Sequence, residues 1–194
     1  MQKLYISFDI EADGQCPSVS SMLSIGMCGL LADGTEVFSW QRNLYPLADR
    51  KPEERCMTEF WSKQPEAWKF VQQDQLAADD AMIELADNIR ELKLKYRLVW
   101  VASPSAYDWQ WLKAYYELTR KTHPDMPDIG FSARCLSSMW WSYTSRNGLD
   151  GKQSDALWER LSGVHKMTHN PLDDARSQGA VFIGLCKLDG ITLL

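Results

Sequence analysis

The chain has 194 residues, 45% of them hydrophobic and 24% charged, enough to bury a core that needs no disulfide or metal staple. A formal net charge of −5 excludes a broad basic coat for nucleic acid, though not a small site where bound cations supply the positive charge. No run reaches the length of a membrane span or forms a signal peptide, and five scattered cysteines without a C-x-x-C pair point to reduced thiols in the cytoplasm.

No repeat or low-complexity segment divides the chain, which reads as one domain over residues 1–194. A first strand is expected over 3–11, with Leu4, Ile6, Phe8 and Ile10 on one face and Tyr5, Ser7, Asp9 and Glu11 on the other. The turn-rich ADGQCPSVSS leads to a second strand over 21–31, and ADGT to a third over 35–44, giving a hairpin. Segment 45–75 is broken by proline, with short helices at TEFWSKQ and PEAWKFVQ. Apolar residues recur at helical spacing from Leu76 to Leu94. RLVWVAS is a short buried strand, and SPSAYDWQWLKAYYELT a helix with Pro104 near its start. A short fifth strand falls near FSARCL, residues 136–168 have no clear period, and a closing helix runs from Pro171 to about Lys187. A hairpin followed by strands alternating with helices predicts an α/β fold on a mixed sheet.

Acids at particular places raise a chemical question. Asp9 and Glu11 project from one face of the first strand and can hold hard divalent cations through oxygen, or can mark a solvated strand end. Asp108 shares a helix stripe with Trp111, Leu112 and Tyr115, and reads either as an inward acid or as an exposed first-turn residue favoured by the helix dipole. In HNPLDDAR, Asn170 is an N-cap and Pro171 the first helical residue, so His169 lies just before the helix. Asp174 lines up with the inward Gln178, Val181 and Leu185. Asp173 lines up with Arg176, Ser177, Ala180 and Lys187 on the solvent side. His165 and His169 have zinc-like H-x-x-x-H spacing, but the helix starts after His169 and no third ligand is near; His165 and His123 are assigned structural or surface roles.

SFDIEADG, SAYDWQWL and HNPLDDA, in that order, resemble the DEDDh 3'–5' exonuclease superfamily, with its D-x-E, middle-helix Asp and H-x4-D. The matching positions are Asp9, Glu11, Asp108, His169 and Asp174. SMLSIG and FWSKQPEAW narrow the likeness to a bacterial and phage branch that includes a mycobacterial-type 3' exoribonuclease. There are departures: Pro104 and Cys135 stand where many relatives have Asn and Asp, and Pro171 where Ala is common. The resemblance implies a ribonuclease H-like sheet of about five strands, the second antiparallel, flanked by helices. It also implies two divalent ions, Mg²⁺ or Mn²⁺, held by Asp9, Glu11, Asp108 and Asp174, with His169 as general base.

The implied partner is nucleic acid with a free 3' end, single-stranded or overhanging, RNA ahead of DNA, degraded to nucleoside 5'-monophosphates. Relatives are often homodimers. Ala12 and Gly14 are candidates to approach the terminal nucleotide, Met22 and Leu23 to wedge against the last base, and Trp61, Tyr107 and Trp109 to stack on bases, a core or turn role being the other reading of each. Other readings of the chain are an exodeoxyribonuclease or oligonucleotide-degrading enzyme on the same fold, and a catalytically silent nucleic-acid-binding module.

Overall fold

The structure, a computed structural model, describes residues 1–163 and 168–193. Strands β1 (Lys3–Ala12), β2 (Met22–Leu30) and β3 (Glu36–Asn43) form antiparallel ladders, with Gly34 in left-handed conformation in the β2–β3 turn. β4 (Arg97–Ala102) pairs parallel to β1, and the two-residue β5 (Arg134–Cys135) parallel to β4. The order β3-β2-β1-β4-β5 is the mixed five-stranded sheet expected, with the second strand antiparallel.

β1 is the central strand and is buried on both faces from Leu4 onward. Its period of two sends Leu4, Ile6, Phe8 and Ile10 into a core with α2 (Ala78–Lys95) and α3 (Ser105–Arg120). Tyr5 on the opposite face joins a second core with α6 (Pro171–Leu188). A third cluster joins Leu23 and Trp61 to α1 (Pro65–Val71), just after a π-helical turn (Cys56–Phe60) and a 3-10 turn (Trp61–Lys63).

Residues 136–163 hold two helices that periodicity does not reveal, α4 (Leu136–Arg146) and α5 (Gly151–Ser162). Each buries few side chains, so neither writes a strong apolar stripe. One local signal was present: Asp150 and Gln153 form a reciprocal capping box that starts α5. His165 lies outside the described residues. Ser177, assigned to the solvent side of the closing helix, is fully buried, because that helix presses into the sheet along a wider stripe than its outward charges suggest.

Two glycines permit the close approach. A Cβ on Gly26 of β2 would lie 2.2 Å from the backbone nitrogen of Leu172 at the start of α6. One on Gly179 would lie 2.7 Å from Leu30 Cδ1 and 2.9 Å from Ser7 Cβ. Gly26→Ala therefore forces α6 off the sheet, with an expected loss of about 1–3 kcal/mol in urea unfolding. Gly151→Ala, at a helical position with open space around it, is expected to be neutral or to stabilise by a few tenths of a kcal/mol. An unmoved midpoint for Gly26→Ala contradicts this account of helix docking.

Candidate active site

The C-terminal end of β1 meets the first turns of two helices. β1 supplies Asp9 and Glu11, α3 supplies Asp108, α6 supplies Asp174, and His169 immediately precedes the α6 cap. All five residues matched by the three motifs converge there. Glu11, His169 and Asp174 offer ligand atoms within 4.8 Å of one another. Asp9 joins through Gln178, whose Nε2 donates to Asp9 Oδ1 at 2.8 Å.

Local chemistry sets each position. Asn170 Oδ1 accepts from Leu172 N at 3.1 Å and from Asp173 N at 3.4 Å, capping α6, and Pro171 follows as first helical residue. His169 adopts a left-handed backbone, φ 56°, uncommon for a residue with a Cβ. Its N–H thereby donates to Asp174 Oδ2 at 2.9 Å, beside Thr168 N to Asp174 Oδ1 at 2.8 Å. The imidazole Nδ1 lies 3.4 Å from Glu11 Oε1. Pro104 is the N-cap of α3, and Ser103 N donates to Asp108 Oδ2 at 3.2 Å.

These carboxylates are nearly dry: Asp9 and Glu11 are 7% exposed, Asp108 2% and Asp174 0%. Burial holds all four above the ordinary carboxylate range, and Asp108 is pushed up to about 8. For Asp9, the charges of Asp108, Glu11 and Asp174 add to the burial effect. No Lys or Arg pairs with any of the four among the described residues, and His169, raised above its ordinary value mainly by its contact with Glu11, is the one basic group in contact. A packed set of oxygen donors without a cation suits hard divalent ions such as Mg²⁺ or Mn²⁺.

The expected nucleotide contacts fare differently. Met22, Leu23 and Trp61 are sealed at 0%, 2% and 2% exposure, so none can wedge or stack against a base in this conformation. They line the core instead: Met22 N donates to Tyr115 Oη at 2.7 Å, and Trp61 Nε1 to Ala12 O at 3.0 Å. That bond, with one from Cys56 Sγ, occupies the Ala12 carbonyl. Gly14 is needed for space more than for a turn, because a Cβ would strike Ser20 Oγ at 2.2 Å. Tyr107 is half-buried, with its hydroxyl on Gly14 O at 2.8 Å. Trp109 packs against Phe8 and Trp100, on the sheet face away from Asp9 and Glu11. Besides the amides of Ser103 and Thr168, the side chains of Gln178 and Phe60, outside the expected set, also touch the site. Gln178 was visible as a polar residue on the inward stripe with Asp174; Phe60, edge-on to His169 with centroids 4.9 Å apart, carried no signal.

Comparison with known proteins places this geometry in context. The profile of a family described as the 3'-5' exoribonuclease Rv2179c-like domain matches residues 4–183. The 3'-5' DNA exonuclease Cap18 of Escherichia coli is 26% identical over 198 residues, covering 96% of this chain and 94% of that protein. Among solved structures, zinc-bound E. coli ExoI with single-stranded DNA superposes with TM-score 0.68 at 14% identity, over 100% of this chain and 42% of that one. The Mg²⁺- and Mn²⁺-bound form of S. pombe Pop2p gives 0.60 at 14% identity, over 96% and 84%. These structural likenesses establish a shared fold, and the chain spans less than half the length of ExoI.

The electrostatics dictate a pH response. Carboxylates that hold their protons in the fold but release them when unfolded make the ion-free protein less stable as pH rises from the ordinary carboxylate range through about 8, where Asp108 loses its proton. With chelator, the melting temperature is expected to fall from about pH 5 to the pKa of Asp108, and Asp108→Asn to flatten that fall. Added Mg²⁺ or Mn²⁺ should restore stability at the alkaline end and do little at the acid end. Thermal denaturation across pH, with and without each ion, checks this.

Proposed function

Because the chain belongs to the 3'-5' exoribonuclease Rv2179c-like domain family, we propose that it is a metal-dependent 3'–5' exonuclease acting as one domain on single-stranded or overhanging 3' ends. The observation that carries the reading is the set of four buried carboxylates at the end of β1, which have no Lys or Arg partner among the described residues. RNA is placed first on the family's description. DNA is the second reading, favoured by the nearly full-length likeness to Cap18. Nucleoside 5'-monophosphates are the proposed product. The scattered cysteines without a C-x-x-C pair favour a cytoplasmic location, and the same reading takes the protein as a homodimer. No helix among the described residues is long and apolar enough to cross a membrane.

Asp9 would hold two divalent ions, Mg²⁺ or Mn²⁺, with Glu11 and Asp174 on the first and Asp108 on the second. Bound there, the ions would supply positive charge that acidifies water and offsets charge on the phosphate. His169 accepts the proton of the attacking water. Its Nδ1 faces Glu11, so Nε2 is the nitrogen left for that transfer. Glu11 is also the main cause of the raised pKa of His169, so neutralising that carboxylate frees the imidazole to act as base near neutral pH. Gln178 and the Thr168 and His169 amides keep the carboxylates of Asp9 and Asp174 in fixed orientations.

The test is 5'-labelled single-stranded RNA and DNA with Mg²⁺, Mn²⁺ or chelator. A ladder shortening from the 3' end is expected, absent with chelator and in Asp9→Ala. His169→Ala should lose roughly 10²–10⁴-fold in rate while keeping ion binding measured by calorimetry. Equal loss of both would make His169 a ligand, and no ion-dependent cleavage of either polymer refutes the reading.

A further inference from the structure

Far from the acids, the other end of β4 is unfinished. β1 pairs with Arg97 through Val101 on one side, but β5 is so short that it pairs only with Val101 and Ala102 on the other. Arg97–Trp100 therefore presents a free ladder edge, an arrangement that folded proteins usually cover or blunt. Residues 128–133 run alongside without joining the sheet and leave a groove of about 790 Å³ lined by Tyr96, Trp100 and Ile129. On the opposite sheet face, a cleft of about 410 Å³ has a floor of Tyr5, Val99, Met139 and Phe182. Arg97, Val99 and Arg134 line both. Phe131, at the groove rim, is 91% exposed.

Charge distinguishes this edge from the rest of an acidic chain. Lys3, Arg97 and Arg134 surround the cleft, and none of the three forms an ion pair or side-chain hydrogen bond among the described residues. Among the described residues the one Asp or Glu lining either space, Asp128, already lies within 4 Å of Lys113 and Arg120.

We propose that this edge docks an extended segment of a partner protein, with a short apolar centre flanked by Asp or Glu. A strand laid on the free edge satisfies its unpaired N–H and C=O groups and sends successive side chains alternately to the two faces. One apolar side chain then enters the groove and the next the cleft, while flanking acids meet Lys3, Arg97 and Arg134. A nucleic-acid strand would match the cations but not the ladder edge. A second copy docked edge to edge on β4 would bring like charges together at Arg97 and Arg134.

The probe is a short synthetic peptide with a Val-Phe-Val centre and two Asp at each end, titrated into the ¹⁵N-labelled protein in chelator. The amides of Leu98–Trp100 should shift and exchange more slowly, and a peptide with Lys in place of Asp should leave them unmoved. Arg97→Glu with Arg134→Glu, both at exposed positions, should weaken the acidic peptide roughly tenfold without changing melting temperature or exonuclease rate. No response at Leu98–Trp100 up to millimolar peptide overturns the proposal. So does an equal response to an oligo-dT strand, which assigns the edge to nucleic acid. Protection that grows with protein concentration alone also overturns it, by assigning the edge to self-association.

Discussion

Removing a carboxylate from water without a Lys or Arg partner costs several kcal/mol, and among the described residues this chain does so four times around the end of a single strand. Like charges add to that cost at Asp9, which lies within reach of Asp108, Glu11 and Asp174. Such an arrangement persists only because the surrounding fold over-determines it. Both faces of β1 are packed, the α3 acid sits under an apolar stripe, and α6 is held against the sheet through Gly26 and Gly179. The strain is partly relieved by fixed donors: Gln178 for Asp9, Ser103 N for Asp108, and two backbone amides for Asp174. Divalent ions would remove most of what remains, linking stability directly to the proposed chemistry.

The same packing builds the walls of the site. Trp61 reaches the carbonyl of Ala12, one residue beyond Glu11, and meets Phe60 edge-on, and Phe60 in turn meets His169 edge-on. A row of rings thus joins the segment after β3 to the turn before α6. The sheet's two ends then have opposite characters: acids crowd the C-terminal end of β1, while Lys3, Arg97 and Arg134, with no ion pair among the described residues, gather around the N-terminal half of β4. Net charge alone conceals that division.

Much of this was legible before any coordinates. The alternation in β1, the N-cap and proline at Asn170 and Pro171, and the apolar stripe beneath Asp108 each follow from local rules, and the sheet is the mixed one that the order of strands and helices along the chain predicts. Burial was less legible. Met22, Leu23 and Trp61 were reasonable nucleotide contacts by residue type, but a large apolar side chain has the same identity in a core and in a cleft. α4 and α5 escaped notice because few of their residues are buried, so their sequences lack a strong period. Ser177 was misplaced because a helix wedged against two strands has a broader inner face than its charged residues imply.

By itself, then, the sequence determined which acids lie on which face of which element, since strand and helix periods and capping are fixed by residues a few positions apart. Only the tertiary structure decided that Asp9 is held by Gln178, 169 residues away, and that Glu11, His169 and Asp174 lie within 4.8 Å. It also decided that Trp61 is a wall and that Arg97–Trp100 of β4 is paired on one edge only. Those outcomes depend on how whole elements pack and where neighbouring strands stop, and local periodicity contains no information about either.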